Sequence, residues 1–202
     1  MLYEIAHVIR DRFGFIWECI EAFNSFLFRI RYNDGLKQIP EVLKSFSKEV
    51  DNRRLVLRLA EQEDAKDLAS FFAKQPVEGF TYFNPHSFDE KTLSKLIKRT
   101  SFIAAIAMVE NEIVGYFFLR SFFHGRCYLG KMVDASWQGK GIGKIMCAAA
   151  MDVATALGIR MFESINKKNP ASMRSSSVLR QVVVKELEND DLLIEDFPLN
   201  KD

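Results

Sequence analysis

A mixed α+β fold, with a mostly antiparallel central sheet behind a helical extension, is predicted by three observations. Between Phe102 and Asp134 three apolar segments follow one another across turns of only a few residues, a spacing that suits antiparallel neighbours and excludes parallel ones. The last of them runs into a glycine-rich turn, Gln138-Gly139-Lys140-Gly141-Ile142-Gly143-Lys144, which opens a helical pattern of Ile142, Ile145, Met146, Ala149 and Val153. Beyond that helix, the apolar run 160–165 must lie parallel to the strand before it, because a crossover helix carries the chain back to the same end of the sheet.

The extension, residues 1–52, is helical and aromatic-rich. Apolar residues recur at helical spacing from Leu2 to Ile30, predicting two helices or one bent at Gly14. Arg10, Asp11, Arg12, Glu18, Glu21, Arg29 and Arg31 interrupt the run too often for a membrane span of about twenty residues. Asn33-Asp34-Gly35 has turn chemistry, and residues 39–50 read as a short helix started by Pro40. Phe13, Phe15, Trp17, Phe23, Phe26 and Phe28 are more aromatic surface than one helix stripe hides, so this segment needs a cover. Its own body or a second copy ranks ahead of a membrane surface, since its acidic and basic residues are balanced.

The second unit, residues 53–202, opens on the alternating strand 53–59 and an amphipathic helix over 61–74. A loop at 75–87 carries Phe80, Tyr82, Phe83 and His86, the residue types that line pockets. Ser87 with Glu90 forms a capping box for a helix to Lys98. The three strands, the glycine turn and its helix follow, capped near Gly158. After the parallel strand, Asn169-Pro170 starts another helix, and residues 182–187 and 192–197 close the chain as a hairpin around Asn189-Asp190.

Bulk properties exclude several function classes. Across 202 residues the net charge is +1 and no run of five like charges occurs, which argues against nucleic acid as a partner. Cys19, Cys127 and Cys147 are odd in number and set among apolar residues, so they read as reduced cysteines of a cytoplasmic protein. His7, His86 and His124 stand alone, without metal-ligand spacing, so no metal cofactor is expected. No secretory signal pattern fits the first residues.

The glycine turn is where chemistry is expected. Glycines let the backbone turn and approach a ligand closely, while the unpaired N–H groups of a helix start attract anions. A nucleotide P-loop needs wider glycine spacing and Ser or Thr after the lysine, where Ile145 stands; a dinucleotide fingerprint needs glycine at Lys144. What remains, Gln-x-x-Gly-x-Gly between a strand and a helix, resembles the pyrophosphate signature of the GNAT superfamily of acyl-CoA-dependent N-acyltransferases. The run 133–138 into the loop, Asn169 with Ser172, and the element order from Arg53 onward resemble that family as well.

The resemblance implies acetyl-CoA as co-substrate, its diphosphate on Gln138, Gly139, Lys140, Gly141, Ile142, Gly143 and Lys144. Its pantetheine would lie where the parallel strands splay, at a bulge near Met132 and Val133, with Asn169 and Ser172 alongside. The family's usual tyrosine acid falls at Ser176 in this chain, a weaker donor. Tyr128 and His124 are the nearest substitutes, and Asp134 is either a helper or a turn cap. The expected reaction is direct attack on acetyl-CoA by the primary amine of a small molecule, with a ring-and-phosphate acceptor such as a nucleotide-linked amino sugar suiting Arg120 and the aromatic loop. The alternatives are a CoA-binding module without turnover, docked through the aromatic extension, and a transferase for longer acyl chains.

Overall fold

The computed structural model describes residues 14–199, so the extension's first expected helical segment lies outside the described residues. An eight-stranded sheet in the order β1-β2-β3-β4-β5-β6-β8-β7 forms the body. Its strands are β1 (Lys48–Val50), β2 (Arg53–Leu59), β3 (Phe102–Val109), β4 (Glu112–Phe122), β5 (Arg126–Val133), β6 (Arg160–Asn166), β7 (Arg180–Glu186) and β8 (Asp191–Phe197). All neighbours are antiparallel except β5 and β6, the expected parallel pair. The helices are α1 (Gly14–Ser45), α2 (Ala65–Ala73), α3 (Glu90–Ile97), α4 (Ile142–Leu157) and α5 (Pro170–Ser176).

Two cores sit on opposite faces of the sheet. On one face α1 and α4 pack together through Phe28, Ile39, Leu43, Met146, Ala150 and Val153. On the other, α2, α3 and the loop between them bury Leu68, Phe72 and Leu93 against Ile106, Tyr116 and Phe118. β3 and β4 are apolar on both sides because both faces are covered.

The extension departs from its sequence pattern. Asn33-Asp34-Gly35 is no turn: the helix runs through it with only a local kink at Tyr32 (φ −114°, ψ 17°), and through Pro40 as well. Gly35 is instead the crossing point with α4, where a Cβ would stand 2.7 Å from the Ala156 carbonyl oxygen. Residues 48–50, expected in a helix, pair with β2 across a tight turn whose Asp51 and Asn52 take φ of 55° and 58°. Asn24 accepts from the Phe123 N–H and donates to the Ser121 carbonyl, fixing α1 to the end of β4. The opposite face of α1 leaves Phe15, Ile16, Ile20, Phe23, Phe26 and Ile30 exposed.

A smaller correction concerns α3. Asp89, not Ser87, is its N-cap, accepting from the Thr92 N–H at 2.9 Å, while the Ser87 hydroxyl donates to the same carboxylate. No helix among the described residues is long and apolar enough to cross a membrane.

Candidate active site

One cleft of about 1910 Å³ runs from the glycine turn, between β5 and β6, to the aromatic loop before α3. Its opening is set by strand pairing. β5 and β6 are hydrogen-bonded only at Arg126–Arg160, Cys127–Met161 and Tyr128–Phe162, after which they diverge. The expected bulge at Met132 and Val133 is absent, since β5 keeps an unbroken register with β4 from Gly115–Val133 to Phe122–Arg126. The strands part because pairing stops at Tyr128, and the main-chain groups beyond it on the β6 side of β5 have no strand to bond among the described residues.

At the first end, Gly139 and Gly141 have φ of 77° and 83°, and a Cβ at either would meet nothing within 4 Å, so both open onto free space. Gly141 caps α4, leaving the N–H groups of Ile142, Gly143 and Lys144 without intrahelical partners. These line the cleft, together with Gln138. Gly143 has a different reason to be glycine: a Cβ would come within 3.0 Å of the Ser175 Cβ on α5. The Ile142 side chain is in the core, so only its main chain is available to a ligand.

Lys140 is turned away. Its ammonium pairs with Asp51 and lies 4.6 Å from the Trp137 ring centre, so it is not a wall of the cleft. Met132, Val133, Asn169 and Ser172 do line it, with the Asn169 side chain capping α5 by accepting from the Ser172 N–H at 3.1 Å. Asp134 is a turn cap: one oxygen accepts from Ser136 and the other from Gln75, whose carbonyl takes the Ala135 N–H.

The three candidate proton donors are not brought together. Ser176 is fully buried, its hydroxyl accepting from Lys131 Nζ at 3.0 Å, and it does not reach the cleft. His124 is exposed at the β4–β5 turn, stacked on Phe122 and away from the cleft wall. Tyr128 alone lines the cleft, where the strands part, with Phe122 and Phe162 about it.

Residues that sequence reasoning passed over stand beside it. Lys131 on β5 and Glu163 on β6 face each other across the parting at 2.8 Å, with side chains 9% and 3% exposed. Each is the one charge inside its strand beyond the arginine that opens it, which is a readable signal. Burial alone would lower the Lys131 pKa; the facing Cys147 and Glu163 reverse this and hold it above the ordinary lysine value.

The far end is made of side chains from distant segments. Phe83, His86, Phe102, Phe118 and Phe122 supply rings, and α1 adds Trp17 and Glu21. Glu21 is paired with Arg120 and with Arg99 at 3.8 Å, and Arg99 also holds Glu18. His86 Nδ1 lies 2.9 Å from the Ser87 carbonyl, which requires the proton on that nitrogen, and burial pushes its pKa down, so it is a neutral imidazole.

Residues 54–177 match the family model described as the acetyltransferase (GNAT) domain. Similar solved structures include the GNAT domain of S. lividans PAT, at TM-score 0.64 and 16% identity over 76% of this chain and 98% of that one. The ribosomal-protein-S5-alanine acetyltransferase of Vibrio fischeri superposes at TM-score 0.62, 17% identical over 77% and 97%. An aminoglycoside acetyltransferase in complex with coenzyme A and kanamycin gives TM-score 0.56, 15% identity, and 71% and 94% coverage. No curated protein matches the sequence.

Proposed function

Since the chain belongs to the GNAT acetyltransferase family, we propose that it transfers an acetyl group from acetyl-CoA to a primary amine of a small molecule, by direct attack in a ternary complex. One observation carries the reading: a single cleft joins an anion-binding helix start, a parted strand edge and a ring-lined chamber. The amides of residues 142–144 suit a diphosphate. Unpaired main-chain groups of β5 suit the amide-rich pantetheine, and an N–H there is placed to stabilise the oxygen that gains charge when the amine attacks. Holding both partners in line supplies much of the rate, because an uncharged amine is already a good nucleophile.

The chamber supports a compact acceptor over a protein tail. Its wall combines rings with the Glu21, Arg99 and Arg120 side chains, the Arg120 guanidinium lying 5.7 Å from the Trp17 ring centre and 5.8 Å from that of Phe122. A ring-bearing amine, an amino sugar among them, would stack on the aromatic residues while its polar edge meets the charged ones. The solved relatives act on acceptors as different as a ribosomal protein and kanamycin, so acceptor identity rests on this chamber alone.

The test is thiol release from acetyl-CoA with amino sugars, nucleotide-linked amino sugars, polyamines and peptides. Turnover is expected with ring-bearing small amines; turnover confined to peptides would overturn the acceptor class, and tight acetyl-CoA binding with no turnover would overturn the transferase.

A further inference from the structure

We propose that the Lys131 ammonium is the counter-ion that receives the CoA thiolate as the acetyl group departs. This rests on the acetyltransferase reading above and identifies the residue that completes its chemistry.

The geometry singles out this side chain. Lys131 is on β5 three residues past the last paired position, Glu163 is on β6 one residue past it, and both line the cleft at the parting. A thioester laid between the strands therefore passes beside them. Nζ has three N–H donors; among the described residues Glu163 takes one at 2.8 Å and Ser176 another at 3.0 Å, and the third faces the Cys147 thiol, a weak acceptor that a thiolate would displace. The other cations on the cleft wall are at its ends: Lys144 and Arg174 beside the glycine turn, Arg99 and Arg120 in the chamber and already paired with glutamates.

The groups facing Nζ come from every element packed against it: Glu163 from β6, Cys147 from α4 and Ser176 from α5. Behind Glu163, Gln181 on β7 bridges to Asp196 on β8. Ser176, at the place of the expected acid, thus orients the lysine and does not meet the substrate.

In the step itself the amine nitrogen forms the C–N bond and the C–S bond breaks with its electron pair on sulfur. The surplus proton on nitrogen leaves to water. Lys131 donates a hydrogen bond and keeps its proton, as its raised pKa requires. A negative sulfur in a slot screened from water is costly without such a partner.

The experiment compares CoA with acetyl-CoA, of which only CoA carries a titrating thiol. Dissociation constants of both are measured calorimetrically at pH 6.5 and 8.5 for the full chain, for Lys131→Arg and for the double variant Lys131→Met/Glu163→Gln, which leaves no lone buried charge. A site that stabilises thiolate lowers the bound thiol's pKa from about 8.5, so CoA gains on acetyl-CoA by about tenfold or more across this range. The gain is expected in the unaltered protein and in Lys131→Arg, and its loss in the double variant, whose kcat should fall on the order of 10²-fold. A ratio flat with pH in the unaltered protein, or an undiminished gain in the double variant, overturns the assignment. Failure of the unaltered protein to bind either ligand overturns the transferase reading itself, and this assignment with it.

Discussion

The glycine-turn end of the cleft and the ring-lined end are built by different means. At the first, main-chain N–H groups line the opening, with side chains absent at Gly139 and Gly141 and turned inward or aside at Ile142 and Lys140. At the second, almost every contact is a side chain, and they come from α1, the loop before α3, β3 and β4. A main-chain site depends on local φ and ψ and tolerates change elsewhere. A side-chain site depends on how distant segments dock, so the acceptor end can be altered without touching the donor end.

The largest effect should come from breaking the main-chain end. Gly141→Val places a β-branched residue at φ 83°, a conformation it resists, so the turn must rearrange and withdraw its amides. Acetyl-CoA affinity measured by calorimetry is expected to fall by about 10²-fold, equivalent to ~2.7 kcal/mol. The fold should survive, because a side chain there meets nothing. Unchanged affinity in a folded variant would break the comparison at its strongest point.

The same division explains what was legible in the sequence. The glycine turn could be read because its conformation is written in residues 138–144 and in the strand and helix that flank them. Sheet elements were readable for a similar reason, their patterns being local. The Asn33-Asp34-Gly35 segment misleads because its glycine serves a contact with α4, more than a hundred residues away, and residues 48–50 mislead because an edge pairing decides their state. Trp17 and Glu21 left no trace as site residues, since only the docking of α1 through Phe28, Ile39 and Leu43 brings them to the cleft, and Arg99, just past α3, is marked only by its pairing with Glu18 and Glu21. Lys131 and Glu163 are a middle case. A charge inside an apolar run was visible, but the partner across the parting was not.

Glu21→Ala tests the side-chain end. It removes the partner of Arg120 and a second partner of Arg99, and Glu21 itself is only 8% exposed. A cost of about 2 kcal/mol in chemical denaturation is expected, below the range for a fully buried pair because Arg120 is 39% exposed. With the chamber wall altered, the KM for the acceptor should rise about tenfold while acetyl-CoA affinity stays unchanged. A change at both ends together would mean that the cleft is one mechanical unit.

The smallest effect concerns neither end but the buried charges between them. Asp196 is 2% exposed and one of its oxygens has no hydrogen-bond partner among the described residues; burial, reinforced by the negative Glu163, pushes its pKa up to about 7. The folded protein therefore binds this proton more tightly than the unfolded chain, whose carboxyl titrates near about 4. The sign follows: the stabilising contribution is complete below about pH 4 and is lost as pH rises toward 7. Asp196→Asn keeps the oxygen that accepts from Gln181 and supplies a fixed donor where the proton was. Denaturation midpoints should then vary less between pH 5 and 8 than in the unaltered protein, with the variant more stable by about 1 kcal/mol at pH 8. A variant less stable at every pH would show that the carboxylate is held charged, and that the Lys131 side chain answers to two anions instead of one.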